Sequence, residues 1–108
     1  MDKKMSKIIA DVKCALEGMG IHVTKIILFG SYAQGTAHEH SDIDLAVISK
    51  NFKDMNLLKR LELIGIALAK AKIMDPVEVI AYTDEEFESK REGTFACDEI
   101  KAKGVEIR

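Results

Sequence analysis

Apolar side chains recur every three or four residues along the start of the chain, at Met5, Ile8, Ile9, Val12, Leu16 and Met19. Lys3, Lys4, Lys7, Lys13 and Glu17 fall elsewhere on the same helical wheel. The spacing predicts an amphipathic helix that stops at Gly18 and Gly20, since glycine readily takes the backbone angles of a helix end. Val23–Phe29 is rich in β-branched and aromatic residues and closes on Gly30, which reads as a strand. Gly30 to Ser41 carries glycine, serine, threonine and two histidines, a loop with one helical turn. Asp42–Ile48 alternates as a second strand, with Ile43, Leu45 and Val47 on one face. Leu57, Leu61, Ile64, Leu68 and Ala71 return to helical spacing, and Val77–Tyr82 reads as a third strand. Thr83 with Glu86 three residues on has the form of a capping box, and Asp84, Glu85 and Glu86 suit the positive end of a helix. A last helical stretch, about Phe95 to Lys103, ends at Gly104 and leaves Val105–Ile107 extended.

The second and third strands are joined through a full helix, which favours a parallel crossover. The loop between the first and second is too short for such a helix, which favours an antiparallel pair. Both conditions are met by an α+β two-layer fold: a small mixed sheet, core order 1-2-3, with helices packed on one face.

Composition narrows the class without changing that picture. At 108 residues and 12.0 kDa, with no repeat or linker, the chain reads as one domain over residues 1–108. A formal charge of −2 and a pI near 5.9 argue against a dedicated nucleic-acid binder, which would present a concentrated basic surface. The apolar runs Ile26–Phe29 and Ile43–Ile48 are far too short to cross a bilayer, and MDKKMSK has no signal-peptide pattern. Cys14 and Cys97 stand far apart outside any CxxC pattern, so a cytoplasmic protein with two reduced thiols is expected.

One constellation carries chemistry: Gly30-Ser31, ten residues, then Asp42-Ile43-Asp44. Glycine lets a phosphate approach the backbone, and serine adds a hydroxyl beside exposed N–H groups. Asp42 and Asp44 alternate on a strand, so both project from one face, about 6.6 Å apart at Cα. Converging carboxylates repel unless a cation sits between them, and hard oxygen ligands with spare positions suit Mg²⁺. The parallel third strand brings its own start to the same edge, and there stands Glu78, an acid in an apolar strand. Three carboxylates beside a phosphate-binding turn suit a two-metal phosphoryl-transfer site.

The stretch GSYAQGTAHEHSDIDL resembles the signature of the DNA polymerase beta-like nucleotidyltransferase superfamily, and the small size resembles its minimal branch, which includes MntA-type antitoxins paired with HEPN toxins. The likeness extends over most of the chain, to VEVIAYTDEEFE. It implies the nucleotidyltransferase fold and transfer of a nucleoside monophosphate, AMP from ATP, to an acceptor with pyrophosphate released. On that reading Asp42, Asp44 and Glu78 are catalytic and hold two Mg²⁺ ions, and Gly30, Ser31 and Ser41 contact the nucleotide. The implied partner is a helical HEPN protein modified on a hydroxyl side chain, with no direct nucleic-acid contact; a homo-oligomer is compatible with all of this. The alternative is a non-catalytic antitoxin or nucleotide-binding module that acts by contact. Two departures bear on it: Gln34 stands where the family commonly has arginine, and the third acid is Glu78 rather than aspartate.

Plainer readings stand beside these. Asp42 and Asp44 are also what a strand edge facing water would carry, and Glu78 what an exposed edge strand would carry. Asp75 is the rival third acid, although its place before Pro76 reads as a turn. Ser31 is also a natural helix cap. His38 and His40 lack a third ligand at metal spacing and read as loop residues.

Overall fold

In the computed structural model, which describes residues 3–38, 41–89 and 96–107, helix α1 spans Lys3–Gly18 and buries Met5, Ile8, Ile9, Val12 and Leu16, the predicted stripe. Strand β1 covers Lys25–Phe29, two residues shorter at its start than the β-rich run suggests. The N–H of Val23 is taken by Glu17 Oε2 at 2.7 Å, so the chain there is tied to α1 before it joins the sheet. A four-residue helix α2 (Ser31–Gln34) supplies the one helical turn of the loop. Strand β2 is Ile43–Ile48, α3 is Leu57–Lys70 and β3 is Val77–Tyr82. Helix α4 (Asp84–Glu88) opens on the predicted capping box, with Thr83 Oγ1 accepting from Glu86 N at 3.0 Å and Glu86 Oε1 accepting from Thr83 N at 2.8 Å. A wide helical turn of π type, Ala96–Lys101, leads to β4, Val105–Ile107.

The sheet runs β3-β2-β1-β4. β1 and β2 are antiparallel, and β2 and β3 are parallel through α3, as the connection lengths require. The C-terminal segment, expected only as extended chain, adds a fourth strand antiparallel to β1 in the register Ile26↔Ile107 and Leu28↔Val105.

Strand alternation divides the core between the two faces. Ile26, Leu28, Ile43, Leu45, Val47 and Val79 meet the long helices α1 and α3 on one face. Ile27, Phe29, Ala46 and Ile48 point to the other, where Phe87 of α4 and Ile100 of the wide turn give a smaller cover. The helical layer is thus on the expected face, and the short C-terminal elements shield part of the second. Among the described residues no helix is long and apolar enough to cross a membrane.

Helix α3 departs from its expected orientation. Its buried residues are Ile64 and Ala67, while Leu57 and Leu61, at the head of the predicted stripe, face outward. The reason is Arg60, which the helix turns inward. Its guanidinium donates to the carbonyls of Met55 (3.1 Å), Phe52 (3.0 Å) and Ala81 (3.2 Å), and to both carboxylate oxygens of Glu86 (2.6 and 3.0 Å). These bonds tie α3, the end of β3 and α4 together, and they satisfy a charge that is otherwise costly to bury.

Arg60→Met should therefore cost about 2–4 kcal/mol of stability in urea unfolding, because three carbonyls and a carboxylate lose their donor together. The bond from Arg60 pulls the carboxyl of Glu86 down to about 2. A depressed acid stabilises the native state above its unfolded pKa, and that stability drains away as pH falls through the carboxylate range toward 2. Part of it is screened by solvent, since the Glu86 side chain is 40% exposed. The acid-sensitive component should be present in the parent and missing from Arg60→Met; equal acid sensitivity in both would deny the pair this role.

Candidate active site

Strand register brings the acids together. Asp44 lies opposite Phe29 at the end of β1 and opposite Glu78 near the start of β3, on the face away from α1 and α3. The side chains of Asp44 and Glu78 are close enough to interact directly. Partial burial raises the carboxyl pKa of Asp44, and the negative charges of Glu78 and Asp42 push it the same way. The two carboxylates thus lie side by side at the strand starts.

Gly30 makes room for this arrangement. It adopts φ 73° and ψ −154°, a conformation essentially confined to glycine. A Cβ there would collide with Oδ2 of Asp44 and lie 3.2 Å from its Cγ. The Gly30 carbonyl then accepts from Ala33 N (3.1 Å) and Gln34 N (3.2 Å), which starts α2, and Gly35 ends it in the left-handed conformation. Ser31 thus stands at the head of α2, next to the glycine that touches Asp44.

The remaining predicted residues are placed less uniformly. Asp42 precedes β2 instead of lying within it and is exposed; it acts on Asp44 through its charge. Glu78 is exposed as well, because β3 is an edge strand, so it bears no burial cost of the kind a lone acid in an apolar strand suggests. Ser41 turns its hydroxyl to the loop, accepting from His38 N at 2.9 Å. It lines a neighbouring small cleft with Tyr32 and Asp75, and Asp75 is paired there with Lys4 at 2.9 Å. Gln34 is exposed on α2. His40 lies outside the described residues, as does Phe95 at the head of the predicted last helix.

A cleft of about 190 Å³ is lined by Phe29, Gly30, Asp44, Glu78, Ile80 and Glu99. Glu99, from the wide turn, is a fourth acid that sequence reading missed; no local pattern marks it, because the fold alone carries it back over the strand starts. A larger cleft of about 570 Å³ lies between α1 and the β1–β4 edge, where Glu106 is its one acid and stands 3.9 Å from Lys25. The carboxylates converge on the smaller one.

Among the described residues no group of three His, Cys, Asp or Glu side chains could by itself hold a metal ion. The donor set nevertheless fits a hard divalent cation bound in part by a nucleotide. Asp44 and Glu78 supply adjoining carboxylate oxygens whose repulsion a cation would relieve, and Mg²⁺ is commonly held by one or two carboxylates with substrate phosphates completing its shell.

Known proteins share this fold. The family model for the nucleotidyltransferase domain matches residues 6–107. A Methanocaldococcus jannaschii protein bearing the provisional name protein adenylyltransferase is 54% identical over a 54-residue match that covers 47% of this chain and 36% of that protein. The chain thus spans well under two thirds of that relative's length. A toxin–antitoxin crystal structure with AMP-PNP is similar at 26% identity and TM-score 0.59, over 90% of this chain and 69% of that one. The toxin–antitoxin structure MntA-HpeT is similar at 25% identity and TM-score 0.56, over 94% and 69%.

Proposed function

This chain belongs to the nucleotidyltransferase domain family, and on that premise we propose that it transfers AMP from ATP to a hydroxyl side chain of a partner protein, as the antitoxin of a toxin–antitoxin pair. The observation that carries the reading is the Asp44↔Glu78 register with Gly30 pressed against Asp44. Backbone at Gly30 and Ser31 is placed to receive the triphosphate, because no side chain at position 30 stands between it and the acids. Asp44 and Glu78 would hold the cation, with Asp42 adding negative charge at the rim. A divalent cation bound there supplies positive charge where the α-phosphate is attacked and pyrophosphate leaves. The name of the M. jannaschii relative supports a protein acceptor, and the AMP-PNP in one similar structure supports an adenine nucleotide. The toxin–antitoxin neighbours support a toxin as that acceptor, and a helical HEPN toxin is the candidate.

Among the described residues, those that line the acid cleft on β1, β2, β3 and the wide turn are few and give an acceptor no pocket of its own. An acceptor that is not held reacts slowly, since phosphoryl transfer depends chiefly on positioning. Incubation with labelled ATP and Mg²⁺ should therefore label a co-expressed helical partner and leave the chain alone nearly inactive. Rapid transfer to a free small molecule by the chain alone would replace this reading with a metabolite-modifying enzyme.

The choice of third acid has its own test. Glu78→Gln should lower transfer by on the order of a hundredfold, whereas Asp75→Asn, which loses only the ion pair with Lys4, should change it less than about threefold. The opposite ranking in a steady-state assay would move the third acid to Asp75.

A further inference from the structure

Sheet order and register line up the strand ends around the acid cleft. Glu78 on β3 lies opposite Asp44 on β2, and Asp44 lies opposite Phe29 on β1. On the far side of β1, Leu28 pairs with Val105, so the chain entering β4 passes Phe29 and Gly30 with Gly104 and Lys103. Packing holds this turn in place. A Cβ on Gly104 would collide with the Ile100 carbonyl and the Ile27 side chain, and would lie 3.2 Å from the Leu28 carbonyl. The Gly104 N–H donates to the Ile100 carbonyl at 2.9 Å. The backbone of Lys103 is thus held beside the end of β1, on the side away from Asp44.

A second contact brings its side chain to the cleft. Lys103 Nζ donates to Glu99 Oε1 at 3.2 Å, and Glu99 lines the cleft with Gly30, Asp44 and Glu78. Among the described residues, no other Lys or Arg pairs with a carboxylate of that cleft. The Lys103 side chain is 52% exposed, and an ion pair so open to water holds it weakly. Its charge rides on a flexible stem, free to leave Glu99 for a stronger anion within reach.

Charge identifies that anion. The cleft gathers Asp44, Glu78 and Glu99, and α2 reads Ser-Tyr-Ala-Gln, with no cation of its own. A cation at Asp44 and Glu78 meets only the phosphate beside it, and the rest of a triphosphate needs further positive charge. Neighbouring strands lie about 4.8 Å apart, which sets the start of β4 about 10 Å from β2. A triphosphate that begins at the acids and runs over the Gly30 turn therefore ends within a lysine's reach of position 103. On the nucleotide-transfer reading of the cleft, on which this rests, we propose that Lys103 binds the β- and γ-phosphates. Glu99 holds the ammonium at the cleft until the nucleotide displaces it.

Calorimetric titration of the full chain with ATP, and separately with AMP, both in Mg²⁺, tests this. Lys103→Met should weaken ATP binding about tenfold through loss of a charge-assisted phosphate contact, and AMP binding less than about twofold. Lys103→Arg should stay within about threefold of the parent, because a cation remains in reach. Lys70→Met, which removes an exposed lysine at the end of α3, should leave ATP binding unchanged. Glu99→Gln breaks the same ion pair from the other side, yet should bind ATP at least as tightly as the parent. If the pair served only to support the turn, Glu99→Gln would weaken ATP binding as Lys103→Met does, and that result overturns the assignment. So does an equal loss of ATP and AMP binding. A parent that binds ATP no better than Lys103→Met removes Lys103 from the phosphates and leaves the transfer reading standing. A parent that binds no ATP at all removes the transfer reading, and the role of Lys103 with it.

Discussion

Asp44→Asn should reduce nucleotide transfer by about a thousandfold while making the nucleotide-free chain slightly more stable. The loss follows from removing one of two adjoining carboxylates that would hold a cation, and charge stabilisation of this kind accounts for two to three orders of magnitude in rate. The gain in stability follows from the same carboxylate. Burial and the charges of Glu78 and Asp42 raise its pKa, so its ionised form is disfavoured in the folded state. The native protein then binds its proton at a higher pH than the unfolded chain does. Stability from this group is therefore greatest below the ordinary carboxylate pKa and falls as pH rises through the raised one. An asparagine amide removes the repulsion and can donate to Glu78. An increase in Tm of about 2 °C is expected near neutrality, the scale of a few tenths of a kcal/mol in a domain this size, shrinking toward zero in acid. Undiminished transfer at saturating Mg²⁺ would remove Asp44 from the site, and a lower Tm would mean that its charge is already compensated.

Gly30→Ala should cost about 2–4 kcal/mol and abolish transfer with it. Its backbone conformation, φ 73° with ψ −154°, strains any residue that carries a Cβ. The added methyl group would also occupy the position of the Asp44 carboxylate, so relief requires moving either the turn or the acid. Either movement separates the phosphate-facing backbone from Asp44. Urea unfolding gives the first effect and single-turnover transfer the second. Residual activity above about a tenth of the parent would show that the turn and the acid need not touch for transfer.

The strands, their pairing sense and the acid pair Asp44–Glu78 were legible in the sequence, because each is set by short-range rules. Alternation assigns Asp44 and Ile43 to opposite faces, connection length separates the antiparallel pair from the parallel one, and the parallel pairing brings the strand starts that carry Asp44 and Glu78 to one edge. The Thr83–Glu86 cap was legible for the same reason, since its donors and acceptors lie within one turn. Other features depend on residues far apart in the chain. β4 is three residues long and becomes a strand only because β1 offers an open edge some eighty residues earlier. Glu99 enters the acid cleft because Ile100 is buried against the second face of the sheet, and no spacing in the sequence encodes that contact. The face of α3 is the sharpest case. Its apolar residues wrap so far around the helix that periodicity admits more than one buried side, and hydrophobicity alone favours the one led by Leu57 and Leu61. The tertiary structure turns in the side with Arg60, where the guanidinium finds three carbonyls and the carboxylate of Glu86, partners that lie outside the helix and that no helical spacing reveals.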